Sequence, residues 1–415
     1  MKTKIVPFAA LLFLCSGAIA QNPAEPAERK LKVVVTENVK AEEQRESSRP
    51  RTVVTAEPSA TPVAAPRIAY PNTGRRTPSF SEIRAKIADA KRRLQTRPIT
   101  TASRGNAYEG VEAVRVAFFD WDRNDIDFVM LAKDAFLSTA SDKAVVSEGG
   151  RNMIVRTIRG NGVNTPVIIF DERNEQHLPL LVQYPRVDKG VYQETAYYIS
   201  THPGIVTPEV VAAGQIYVKN VIDTARERLG RLGFRVDPKV ADIAERLAVV
   251  EHVDHFRFRN EPHPDIYNDV FTLFALNEGQ TYRYAVSSAG AGGMVQMIPS
   301  TYRMVRAQFP NVPLNADFVE GMRDHLNAAQ AMLLYMQWTW DDLKSRPSVS
   351  DALLRGLATQ EQIMAAGYNS NPARLPGYIT RGGAGWANLI PRETKIYLQI
   401  FASVEQHVPM TPRRR

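Results

Sequence analysis

From Thr207 onward one arrangement recurs: a helix opener, apolar residues at helical spacing, then a closing glycine or proline. The stretch "TPEVVAAGQIYVKNVIDTARERLGRLG" opens with Thr207 as cap and Pro208 in the first turn. It carries Val210, Ile216, Val221, Ile222 and Leu229 along a stripe. "DPKVADIAERLAVVEHVDHF", "HPDIYNDVFTLFALNE", "STYRMVRAQF", "FVEGMRDHLNAAQAMLLYMQWTW", "EQIMAAGYN" and "ETKIYLQIFASV" repeat the pattern without repeating each other. Such a run can bury its apolar stripes only as a packed helical body. The expected fold class is therefore mainly α.

The residues before this run divide differently. Residues 1–20, "MKTKIVPFAALLFLCSGAIA", have two lysines, a short apolar stretch and a small-residue cleavage site, the pattern of a secretory signal peptide. That implies a periplasmic or secreted location. Cys15 is the only cysteine and lies inside this segment, which excludes disulfides and thiolate chemistry from the mature chain. No later stretch is long and apolar enough for a transmembrane helix. Residues 21–76, rich in Pro, Ala, Glu and Ser, are expected to be a disordered tether. Residues 77–205 begin with an amphipathic helix over about 79–95. Short β-branched runs such as "EAVRVAFF" and "TPVIIF" follow, so this part is expected to be a small β-rich or α+β domain. Residues 206–408 form the helical domain and 409–415 a disordered basic tail. The net charge of +8 suggests an anionic partner. Export and the lack of any recognised nucleic-acid motif argue against nucleic acid.

The segment "EGQTYRYAVSSAGAGGMVQMIPSTY" carries the chemistry. Glu278 ends the apolar helix "FTLFALNE", a setting in which partial burial favours a protonated carboxyl able to act as general acid. Small residues follow it, and these let an extended polymer approach the backbone. Ser287 and Gln296 supply neutral hydrogen-bonding groups. Tyr282, Tyr284, Tyr302, Tyr368 and Trp386 offer apolar faces on which sugar rings can stack. One acid, neutral donors and aromatic faces suit a neutral carbohydrate better than a phosphate.

In register after Glu278 stand Ala285, Ser287, Gly290, Ala291, Gly293, Gln296, Pro299 and Thr301. "AAGYNSNPARL" supplies Tyr368 and Asn369, and "ETKIYLQIF" begins at Glu393. Over roughly 235–405 this series resembles the lytic transglycosylases of the soluble-lytic-transglycosylase type. Gly279 replaces that family's usual serine, Val295 and Ile298 its methionines, and Gly367 an alanine. The resemblance implies a lysozyme-like helical catalytic domain acting on the glycan strands of peptidoglycan, with no cofactor and no metal. It implies that Glu278 protonates the bond between N-acetylmuramic acid and N-acetylglucosamine and then takes the proton of the muramoyl C6 hydroxyl, closing a 1,6-anhydro ring. Tyr368 and Asn369 would orient the acetamido group. Ser287, Gln296 and Glu393 would bind the glycan. A wall-binding scaffold that keeps the fold with little activity, and a hydrolytic goose-type lysozyme, remain alternatives. The 77–205 domain could contact other wall proteins.

Other clusters read blandly. "DWDRNDID" lacks the glycine and glutamate of a calcium loop and reads as a solvated turn. "EHVDHF", with Glu251, His252, Asp254 and His255, reads as a polar helix end facing solvent, because the His-Glu-x-x-His spacing of a zinc site is absent. Trp338 and Trp340 read as core or domain-interface residues, and the glycine-rich 376–390 segment as a mobile loop.

Overall fold

The computed structural model describes residues 76–97, 112–188, 191–277, 279, 286–287 and 290–414. The signal peptide and nearly all of the expected tether lie outside these residues.

The first described element is α1 (Phe80–Gln95). Ser79 and Glu82 close a capping box at its start, and Ile83, Ile87, Ala90 and Leu94 form its buried face. Then come β1 (Ala113–Asp120), β2 (Asp125–Ala132), a single turn α2 (Lys133–Leu137), β3 (Lys143–Val146), β4 (Asn152–Thr157), β5 (Val167–Asp171), β6 (Gln176–Asp188) and β7 (Val191–Tyr198). The strands form one seven-stranded sheet in the order β2-β1-β6-β5-β4-β3, with β7 also on β6. Every pairing is antiparallel. The long β6 holds the sheet together: its start pairs with β5, its middle with β1 and its end with β7.

Successive side chains on a strand point to opposite faces, and both faces of β1 are buried. Ala117 and Phe119 face a cluster with the buried stripe of α1, Leu178, Leu180, Ile205, Val210 and Leu276. Val114, Val116 and Phe118 belong to a core that continues without a break into the helical part, through Val218, Ile222, Phe271 and beyond.

The helical part comprises α3 (Pro208–Arg231), α4 (Pro238–Val250), α5 (His255–Asn260), α6 (His263–Leu276), α7 (Pro299–Gln308), α8 (Phe318–Arg323), α9 (His325–Ser345), α10 (Pro347–Leu354), α11 (Gln360–Asn369), α12 (Leu375–Gly382) and α13 (Arg392–His407). Thr207 caps α3 through the Val210 amide, with Pro208 in the first turn. Gly214 lets α3 lie directly on α6, because a methyl there would be driven into the Phe271 carbonyl oxygen. No described helix is long and apolar enough to cross a membrane.

The expectation of a mainly α, lysozyme-like chain with a small β-rich appendage is thus corrected. A seven-stranded antiparallel sheet shares its core with the helices, and the chain is α+β. The strand runs before residue 200 and the helices after it look separable along the sequence, but neither buries its apolar face alone.

Three local expectations also change. In "DWDRNDID" Asp120 and Asp127 are buried rather than solvated. The Asp120 carboxylate accepts the Asp122 and Arg123 amides and pairs with Arg151 at 2.5 Å. Arg151 also reaches Asp122 at 3.1 Å and Asp171 at 2.8 Å, so one guanidinium gathers three carboxylates. Asp120, Asp122 and His177 stand close enough to share a cation, and Arg151 supplies positive charge there. Residues 375–388 form α12 and a 3-10 helix rather than a loop. The tail is anchored: Arg413 is buried on Asp223, Asp242 and Glu245 at 2.6–2.9 Å. Trp340 is buried, and Trp338 packs edge-on to Phe309.

Candidate active site

Glu278, the acid of the motif register, lies outside the described residues, as do Tyr282 and Tyr284. Its described neighbours are Asn277 and Gly279. Asn277 caps α6 and exchanges side-chain hydrogen bonds with both backbone groups of Ile199, just past the end of β7. Gly279 has φ +78°. In that left-handed region a serine would be strained by about 1–2 kcal/mol, which accounts for the glycine where the resembled family has serine.

The other motif residues converge. Val250, Glu251, His255, Ser287, Ala291, Gln296, Asn369, Glu393 and Tyr397 line one narrow cleft. Its free volume is about 20 Å³, room for one water. Each wall has its own local cause. Ser287 sits in a tight turn: its amide donates to the Ala291 carbonyl at 2.9 Å, and its Oγ accepts the Ala291 amide at 3.0 Å. Bridges from Val286 to Gly292 and from Gly292 to Met297 fold the small-residue run back on itself. Gly293 is required by packing as well as by its φ of +72°, because a Cβ would meet the Met322 carbonyl. The small residues here let the chain's own backbone close up. Gln296 takes φ +45°, and its Nε2 donates to the Gly293 carbonyl at 2.9 Å.

Asn369 is the last residue of α11. Its Oδ1 accepts the Thr394 hydroxyl at 2.9 Å, which fixes the amide with Nδ2 as its donor. Glu393 and Tyr397 lie one turn apart on α13. Tyr368 does not line the cleft. It is buried behind it, donating its hydroxyl to the Val295 carbonyl at 2.7 Å and packing against Tyr335. The cleft therefore collects Ser287, Gln296, Asn369 and Glu393 from stretches about a hundred residues apart, with Tyr368 as support.

Two other expected sugar platforms are core residues. Tyr302 is buried with its hydroxyl on the Asn315 carbonyl, and Trp386 is buried with its indole N–H on the Leu357 carbonyl.

The "EHVDHF" segment is not a solvent-facing helix end. Glu251, which caps α4, is only 6% exposed and accepts the Tyr397 hydroxyl at 2.7 Å. His252 has its Nε2 2.8 Å from the Met294 carbonyl, so that nitrogen carries the proton. Burial pushes the His252 pKa down to about 3, leaving the ring neutral. Asp254 stays exposed and caps α5. Glu251, His255 and Tyr397 are the cleft residues that the motif reading missed. The available signal was an acid closing the apolar run "ADIAERLAVVE", the same signal that singled out Glu278.

A wider concavity, about 910 Å³, lies elsewhere, between the end of α3 and the C-terminal residues. Its Lys219, Arg231 and Arg413 are each paired with a carboxylate, and none of the motif residues reaches it. The smaller cleft is the one that gathers the motif residues.

No protein-family model, no curated protein and no solved structure matches the chain.

Proposed function

We propose that this protein is an exported peptidoglycan lytic transglycosylase. It cleaves the β-1,4 bond between N-acetylmuramic acid and N-acetylglucosamine and leaves 1,6-anhydro ends. One observation carries the reading: Ser287, Gln296, Asn369 and Glu393, each named by a motif of that family, meet in a single cleft that also holds a nearly buried carboxyl.

In this reaction one carboxyl protonates the glycosidic oxygen. The C1–O bond breaks, and the acetamido oxygen of the muramoyl residue shares the positive charge at C1. The resulting carboxylate takes the proton of the C6 hydroxyl, and O6 closes on C1. Water is not consumed, so the two-carboxylate arrangement of hydrolases is unnecessary. The Nδ2 of Asn369, oriented by Thr394, supplies a hydrogen bond to the acetamido group. Ser287 and Gln296 border the glycan from the small-residue turn.

The test is the rate at which purified sacculi release soluble fragments. Asn369→Ala should slow release about 10²-fold or more, the usual cost of removing a donor aimed at developing charge. A variant that clears sacculi as fast as the unaltered protein would remove Asn369 from the reaction.

A further inference from the structure

We infer, on the substrate proposed above, that the basic concavity beside the C-terminus is a second substrate site. It holds the carboxylate-bearing peptide branches of the glycan while the cleft holds the sugars.

The concavity, about 910 Å³, is walled by the end of α3, the residues that follow it and the C-terminal residues. Most of its charges cancel. Lys219 pairs with Asp223, Arg231 with Glu227, and Arg413 with Asp223, Asp242 and Glu245. Arg226, Arg235 and Arg414 remain, and among the described residues no carboxylate pairs with any of them. Arg226 is held in place: its Nε donates to the Val236 carbonyl at 3.0 Å, which leaves its two outer nitrogens for a ligand. Arg235 and Arg414 are exposed at the rim. Arg414 is placed by its neighbour, because Arg413 is anchored on three carboxylates. A guanidinium meets a planar carboxylate with two parallel hydrogen bonds. Gly230 keeps the space open, since a Cβ there would meet nothing within 4 Å.

One helix ties this site to the cleft. Asp242 and Glu245 of α4 hold Arg413, and Val250 at the end of α4 lines the cleft. At 1.5 Å per residue, Asp242 and Val250 are about 12 Å apart along the axis, a span that a branched strand can bridge. Lipid phosphates would also suit guanidinium groups. A flat bilayer meets a rim, however, and Arg226 is half-buried inside the concavity.

The test is co-sedimentation of the full-length protein with purified sacculi, with melting temperature as the folding control. Arg235→Gln combined with Arg414→Gln breaks no ion pair. Gly230→Glu puts a negative charge into open space, and Gly230→Gln is its neutral match. The double variant and Gly230→Glu should each bind sacculi about 10-fold more weakly at low salt, while Gly230→Gln binds as the unaltered protein does. The difference should fade near 1 M salt, where the screening length falls to about 3 Å. Glycan strands stripped of peptide by an amidase should bind the unaltered protein and the charge variants alike. Folded charge variants that bind sacculi as tightly as the unaltered protein overturn the site. So does an equal loss on stripped strands, or a loss seen only on phosphatidylglycerol vesicles. Binding is read separately from the reaction. Unchanged binding with anhydro ends still released removes the site alone, whereas absent anhydro ends with the binding differences intact remove the reaction and leave the site.

Discussion

A chain that begins at residue 206 is expected to be insoluble or to lack a cooperative melting transition, although it contains every motif of the candidate site. The helices do not close their own core. Val210 of α3 and Leu276 of α6 are buried in a cluster that also holds Ala117, Phe119, Leu178, Leu180, Ile199 and Ile205. On the opposite sheet face, Val116, Phe118, Val182 and Tyr198 belong to the same continuous core as Val218, Phe271 and Tyr267. Baring one such side chain costs about 1.5–3 kcal/mol, and a whole domain holds only about 5–15 kcal/mol in reserve. Asn277 would also lose both hydrogen bonds to Ile199. Residues 76–415 should unfold in one transition. A soluble 206–415 fragment with native-like melting would show that the sheet is dispensable for folding.

Arg151→Met is expected to cost about 3–5 kcal/mol, the range for removing one partner of a buried ion pair. Its side chain is the shared cation of Asp120 and Asp171, whose side chains are 1% and 4% exposed. Burial works to raise the Asp120 carboxyl, but the Arg151 hydrogen bond and the Arg123 and Asp122 amides outweigh it and hold the pKa below the usual range. Asp171 is held low in the same way, by the Glu175 amide and Arg173 against burial. A carboxyl whose pKa is depressed on folding adds stability above its unfolded value, near 3.9, and that stability is lost as pH falls through the folded value. The penalty for Arg151→Met should therefore be full at neutral pH and shrink below about pH 3.9 as the carboxyls take up protons. Denaturant titrations at neutral and acid pH measure this. A variant as stable as the parent at neutral pH would contradict the ion-pair account.

Much of the helical part is legible in local chemistry. Thr207 and Pro208 mark the start of α3, and the capping box from Thr359 marks α11, because caps act within one turn of the residues that form them. The sheet as a shared layer is not legible, since β6 must bring residue 178 beside Phe119 and residue 198 beside Val182. Nothing local to either strand states that partner. The site divides in the same way. Ser287, Gln296, Asn369 and Glu393 are named by the resemblance to the transglycosylase motifs, whereas the burial of Glu251 depends on Tyr397, 146 residues away. Two apolar runs end in a glutamate, at 251 and at 278, and only the second is followed by the small-residue run and the motif register. His252 and His255 make the first look wet. Tyr302 and Trp386 show the reverse error: aromatic residues near a motif suggest sugar platforms, but their polar tips find backbone carbonyls inside the core.

The mass of the released product tests the proposed reaction most directly. Sacculi digested with the full-length protein should release muropeptides whose muramoyl ends are 1,6-anhydro rings, each lighter by one water than the corresponding reducing end. Fragments with reducing ends would mean that water is the acceptor and the protein is a hydrolase. No released fragments at all would contradict the enzymatic account and leave a wall-binding protein in its place.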